Sequence, residues 1–135
     1  MTPGREGPED LHVRLWVTPA RLVGLRHTLS RWAHGTALSA ERQEDLVLAA
    51  YEALANSAEH AYSAGRGGPV EITARCVRDE LTVVVTDEGR WRTPDPAEHL
   101  RGRGRPLMKV LADTVATVHR ANGTTVTMSW RLGAC

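Results

Sequence analysis

No stretch of this chain approaches the ~20 consecutive apolar residues that cross a bilayer as a helix, so no membrane span is expected. No charge of one sign dominates either: 17 Lys plus Arg stand against 16 Asp plus Glu, mixed along the chain, for a net charge of +1. That balance supplies no electrostatic case for a direct nucleic-acid or membrane partner. Lysine is almost missing; Lys109 stands alone, and the skew toward Arg fits a GC-rich coding genome. Cysteine is scarce as well. Cys76 and Cys135 have no metal-ligand spacing, and Cys135, the final residue, is a poor place for a structural bridge. There is no internal repeat, and no Gly-Lys-Ser/Thr ending that a Walker-type phosphate loop requires. Residues 1–9, rich in Pro, Gly and Glu, lack the apolar stretch of a signal peptide and read as a disordered leader. Together these absences lead us to expect a reduced, cytoplasmic protein.

What is present suffices for one ordinary domain, placed at 10–133. A chain of 135 residues is too short for two, while 41% apolar and 24% charged residues provide a core and a solvated surface. Leu11, Val13, Leu15 and Val17 alternate, the period of a half-buried strand. Thr18-Pro19 then reads as a helix cap and first turn, with Leu22, Leu25, Leu29 and Trp32 at helical spacing and Gly35 closing the helix. Ser39 caps a second helix expected to reach about Tyr62, ended by the Gly-rich 65–69. Val70–Val77 and Leu81–Asp87 are strand-like runs around a turn at Arg78-Asp79-Glu80. A long irregular segment, Glu88–Gly104, precedes a short helix marked by Leu107, Met108, Val110 and Leu111. Val115–Arg120 and Thr124–Leu132 follow as strands joined at Asn122-Gly123. The order β-α-α-β-β-loop-α-β-β predicts an α/β (α+β) two-layer sandwich, its mixed, mostly antiparallel sheet carrying the helices on one face. The irregular segment is longer than a compact domain tolerates without purpose, and is a candidate lid.

Four local patterns bear on chemistry. Glu52 and Asn56 stand four apart on the second helix, so their side chains leave the same face. Such a pair is commonplace on a solvated helix. Here Ala49, Ala50, Ala53, Ala55 and Ala58 surround it, so other layers can approach closely. An Asn in mid-helix also costs roughly half a kcal/mol against Ala, which something should offset. Next, Thr86-Asp87-Glu88-Gly89 ends an apolar strand and leaves Asp87 at its mouth. A carboxylate there can accept a hydrogen bond from an exocyclic amine, and Gly89 lets a flat ring approach the backbone. A plain turn with a solvated Asp is the competing reading.

The third pattern is Arg101-Gly102-Arg103-Gly104-Arg105-Pro106, leading into a helix. Glycines permit a nest of N–H groups, the helix N-terminus favours phosphate, and three guanidiniums suit a triphosphate. A flexible linker competes with that reading, as does an arginine-glycine RNA-binding segment. The RNA reading is poor because the run is short, lacks interleaved aromatics and opens directly into an amphipathic helix. The fourth pattern, Gly123-Thr124-Thr125-Val126, is ordinary turn chemistry by itself.

Taken in order, the four patterns resemble the N, G1, G2 and terminal boxes of the GHKL ATPases, the superfamily of gyrase and histidine kinases, whose architecture is the Bergerat ATP-binding fold. Glu52-Ala-Leu-Ala-Asn56-Ser-Ala-Glu-His60-Ala-Tyr62 is similar to the N box of anti-sigma-factor serine kinases. Asp87-Glu-Gly89-Arg-Trp91-Arg and the run Arg101–Met108 look like the actinobacterial branch of that group. The resemblance extends from about Leu11 to Leu132.

It implies ATP and Mg²⁺ as cofactors. Asn56 would hold Mg²⁺ through its amide oxygen, with waters and phosphates completing the shell. Glu52 would orient or deprotonate the attacking hydroxyl. Asp87 would meet the adenine amine, with Gly89 allowing close approach and Thr124 in support. Gly102 and Gly104 would let the lid fold over the phosphates, and Arg101 or Arg103 would reach the γ-phosphate. His60 fits a packing role and a phosphate-side role equally. The implied partners are a sigma factor, a STAS-domain anti-anti-sigma protein as phosphate acceptor, and a second copy meeting through the first strand and helix. The alternative is a nucleotide-dependent regulatory binding module without kinase activity. An isolated histidine-kinase catalytic domain is a weaker reading, since 135 residues leave little room for a helix bearing a phospho-acceptor His. Two departures stand out. Trp91 replaces the second glycine of many G1 boxes, and Arg105-Pro106 stands where the branch has small or apolar residues. Pro106 suits a first helical turn; Arg105 bears on how the lid closes.

Overall fold

The computed structural model describes residues 10–62, 67–89 and 104–132. The expected leader at 1–9, Cys135, and residues 90–103 of the expected lid, with Trp91, Arg101, Gly102 and Arg103, lie outside them.

Strand β1 (Leu11–Val17) follows the alternation of its sequence, with Leu11, Val13, Leu15 and Val17 inward and His12, Arg14 and Trp16 exposed. Helix α1 (Pro19–His34) opens with proline, which fits a first turn whose N–H needs no intrahelical partner. Thr18 occupies the N-cap position in extended backbone, yet its side chain makes no capping bond. Leu22, Leu25, Leu29 and Ala33 form the buried stripe. Gly35 closes the helix through its N–H to the Trp32 carbonyl at 3.1 Å, and does so right-handed, at φ −83°.

Helix α2 (Ala40–Asn56) is capped by Ser39, whose Oγ accepts the Arg42 N–H at 3.2 Å. The helical stretch expected to reach Tyr62 changes character on the way. Regular α geometry ends at Asn56, and one π-turn, Ser57–Ala61, carries the chain onward. Such single π-turns are frequent at functional sites.

The chain continues through β2 (Gly68–Val77), β3 (Glu80–Asp87), α3 (Gly104–Leu111), β4 (Thr114–Arg120) and β5 (Gly123–Arg131). The strands lie in the order β1-β2-β3-β5-β4, and every described pair is antiparallel. This is the expected two-layer α/β sandwich. Both hairpins turn on two residues. The first uses Arg78 and Asp79, with Arg78 left-handed at φ 58°. The second uses Ala121 and Asn122, one residue earlier than the Asn122-Gly123 expected, and Gly123 pairs with Arg120 inside the ladder. This turn holds no left-handed residue and so does not call for glycine, whereas in the ladder a Cβ on Gly123 would lie 2.3 Å from the Asp87 carbonyl oxygen.

Alternation turns Ile72, Val83, Val85, Met128 and Trp130 toward Leu29, Leu46 and Leu54 of the helices, all within one buried cluster. Removing a buried leucine side chain typically costs about 2–5 kcal/mol, so this cluster dominates the stability of the fold. Helix α3 is anchored at its C-terminal end. The Leu111 carbonyl accepts the Trp130 indole N–H at 2.9 Å and the Arg42 guanidinium at 3.1 Å. Arg42 also pairs with Asp45 at 3.0 Å and with Asp113 at 2.7 Å. Among the described residues, no helix is long and apolar enough to cross a membrane.

Candidate functional site

Asp87 is the last residue of β3, and its inward register leaves it 2% exposed between Val70 of β2 and Thr124 of β5. The reading of a solvated turn Asp is therefore overturned. A buried carboxylate requires donors in place of water. They come from three directions. The Ser57 hydroxyl donates to Oδ2 at 2.8 Å, while the N–H groups of Gly89 and Thr124 donate to Oδ1 at 3.2 and 3.1 Å. The carboxylate is thus fixed in one orientation. Thr124, also buried, has its hydroxyl 3.0 Å from Nδ1 of His119, its partner across the β4–β5 hairpin.

The π-turn is held onto the sheet by Tyr62 and by two glycines. The Tyr62 hydroxyl donates to the Pro69 carbonyl and accepts the Glu88 N–H at 2.9 Å. Burial pushes the Tyr62 phenol above its ordinary value; the charges of Asp87 and Glu88 add to this, and the Glu88 N–H works against it. A Cβ on Gly68 would fall 2.2 Å from the Tyr62 ring, and one on Gly89 would fall 2.1 Å from the Ala61 carbonyl oxygen. Gly89 therefore serves the closeness of the π-turn to the strand end, a reason for glycine that the sequence did not disclose.

Glu52 and Asn56 lie one turn apart on α2, and Asn56 immediately precedes the Ser57 that touches Asp87. Both are half-buried, and neither makes a hydrogen bond or ion pair among the described residues. A carboxamide and a carboxylate are hard oxygen donors of the kind Mg²⁺ takes. Among the described residues, no group of three or more His, Cys, Asp or Glu side chains could hold a metal. A cation here would need ligands brought by its substrate, as Mg²⁺ does with a triphosphate.

Of the residues singled out in sequence, Asp87, Gly89 and Thr124 meet through hydrogen bonds, and Glu52 and Asn56 stand on the helix leading to them. Gly104 is the first residue of α3, three positions before the start read from its apolar residues. Arg101, Gly102 and Arg103 fall outside the described residues. Ser57, His119 and Tyr62 also take part in the site. Of these, only Tyr62 carried a signal, as the end of a recognisable run.

A family model described as the histidine kinase-like ATPase domain matches residues 15–130. The serine-protein kinase RsbW of Bacillus licheniformis is 32% identical over 120 residues, covering 78% of this chain and 74% of that protein. The protein of the same name from Oceanobacillus iheyensis is 29% identical over 119 residues, covering 77% and 75%. Among solved structures, the RsbU and RsbW domains of Rv1364c from Mycobacterium tuberculosis superpose with a TM-score of 0.74 at 24% identity. That match spans 91% of this chain and 32% of the other, and it speaks for the fold alone.

Proposed function

Because this chain belongs to the histidine kinase-like ATPase family, in its branch of anti-sigma-factor serine kinases, we propose that it binds Mg²⁺·ATP beside Asp87 and transfers the γ-phosphate to a protein serine. The observation that carries this reading is the buried, three-fold hydrogen-bonded Asp87 at the foot of the helix bearing Glu52 and Asn56. An oriented carboxylate accepts from the adenine 6-amine and repels the 6-oxo group of guanine. Asn56 offers its amide oxygen to Mg²⁺, which lowers the charge of the phosphates when bound. Glu52, one turn back, takes the proton of the acceptor hydroxyl as its oxygen bonds to the γ-phosphorus and the bond to the β-phosphate oxygen breaks. Gly104 begins a helix whose N-terminus favours phosphate, and Arg101, Gly102 and Arg103 lead into it.

In this reading the acceptor is a STAS-domain anti-anti-sigma protein. In the alternate state the chain sequesters a sigma factor in the cytoplasm, as a homodimer meeting through β1 and α1. The names of the relatives support the kinase part. Titration calorimetry and a phosphotransfer assay test it together. Asp87→Asn and Asn56→Ala should each weaken Mg²⁺·ATP binding about tenfold or more. Glu52→Ala should retain binding and lose transfer to the STAS-domain partner. Unchanged affinity in Asn56→Ala would overturn the site assignment. Wild-type protein that binds ATP but labels no partner would instead establish a nucleotide-dependent binding module.

A further inference from the structure

The β4–β5 register sets His119 directly across from Thr124, with its Nδ1 3.0 Å from the Thr124 hydroxyl oxygen. The Thr124 N–H is already engaged, donating to Asp87 Oδ1 at 3.1 Å. We propose that His119 is a positioning residue for the purine, turning the Thr124 hydroxyl proton toward the ring nitrogen beside the 6-amino group and so favouring adenine over guanine. The inference rests on the reading of Asp87 as the group that meets the base.

Hydrogen-bond polarity decides where the hydroxyl proton points. A threonine hydroxyl owns a single proton, and a histidine Nδ1 either carries a proton or offers a lone pair. Where Nδ1 carries a proton, it donates to Oγ1, and the hydroxyl proton is left to point elsewhere. Thr124 and Asp87 are direct partners on the inner sheet face, so a base whose amine meets the carboxylate turns its adjacent edge toward Thr124. In adenine that edge carries N1, an acceptor, and the hydroxyl proton satisfies it. In guanine N1 carries a hydrogen, so donor meets donor while the 6-oxo group meets the carboxylate. With protonated Nδ1, both contacts select the same base. Aspartate reads the amine, and the histidine–threonine pair reads the nitrogen next to it.

The test is calorimetry on the full chain with Mg²⁺ complexes of ATP, GTP and 1-deaza-ATP, whose N1 is replaced by C–H. His119→Ala should weaken ATP about three- to tenfold, the scale of one neutral hydrogen bond, and leave 1-deaza-ATP unchanged. His119→Asn, whose amide can present an N–H near the place of Nδ1, should restore most of the ATP affinity. A variant that weakens both adenine nucleotides equally would show a merely structural histidine and overturn the proposal. So would His119→Ala with wild-type ATP affinity and ATP-to-GTP ratio. In either case, loss of ATP binding in Asp87→Asn would leave the site assignment standing. Failure of wild-type protein to bind any of the three nucleotides would remove both readings.

Discussion

A carboxylate taken out of water keeps its charge where fixed dipoles replace the lost hydration, and at Asp87 they arrive from a helix end, a strand exit and a neighbouring strand. The donors belong to residues 30 before, 2 after and 37 after it in the chain. Asp87 and Gly89 were legible because an Asp-x-Gly after an apolar run is a local pattern. Ser57 was not: a serine within a helical stretch looks like any solvated one until the tertiary fold brings it to the carboxylate. His119 was hidden for a related reason. In sequence it is one polar residue of an edge strand, and its partner emerges only from the hairpin register. Tyr62 couples stability to alkaline pH. Its phenol titrates above the ordinary 10.0 in the folded protein, so the folded state holds this proton more tightly than the unfolded chain. That stability is fully present below pH 10 and is lost as pH rises through the raised value. Urea unfolding as a function of pH should show a decline setting in above pH 10, shallower in Tyr62→Phe. Equal alkaline slopes in the two proteins would contradict this.

Among the elements, those with strong periodicity could be read directly. The inward alternation of β1 and the Leu stripe of α1 follow from sequence, as does the Ser39 cap of α2. Two boundaries were set by packing instead. The second hairpin turns one residue earlier than the preference of Asn-Gly places it, and Gly123 serves instead within the ladder, close against the Asp87 carbonyl. The π-turn Ser57–Ala61 has no signature in an Ala-rich segment; it reflects the need to aim Ser57 at Asp87 while seating Ala61 against Gly89. A π-turn holds one residue more than the α-turn it replaces. Deleting Ala58 should therefore return the segment to α geometry and rotate the following residues away from the sheet. Far-UV circular dichroism should stay near wild type while ATP affinity drops at least tenfold. Full ATP binding in the deletion variant would deny the π-turn that role.

For the molecule as a whole, one sheet face is roofed by helices and the centre of the other is lined by short polar and β-branched side chains, Thr73, Thr82, Val84, Thr86, Thr125 and Thr127. The two layers are joined at the end away from Asp87 by Arg42, which links α2 to the end of α3 and to Asp113. Asp113 in turn accepts the Arg131 N–H of β5 at 2.6 Å. Nothing in sequence marks Arg42 among 17 basic residues, because two of its three partners lie 69 and 71 positions away. Replacing it with Ala removes charge-assisted hydrogen bonds to three groups at a partly buried position. Hydrogen bonds involving a charged group contribute about 1.5–3 kcal/mol each before exposure weakens them, so a net loss of about 1–3 kcal/mol is expected. Chemical denaturation of Arg42→Ala checks this, and a midpoint within error of wild type would refute it.

The shared carbonyl of Leu111 gives the molecule a built-in optical gauge. It receives the indole N–H of Trp130, which is fully buried, whereas Trp16 is 52% exposed. Emission from a buried indole is shielded from aqueous quenchers such as iodide. With Trp16, Trp32 and Trp91 replaced by Phe, the remaining fluorescence reports whether the far end of α3 is still seated, and a rise in quenching ahead of the main unfolding transition would mean that this helix detaches first.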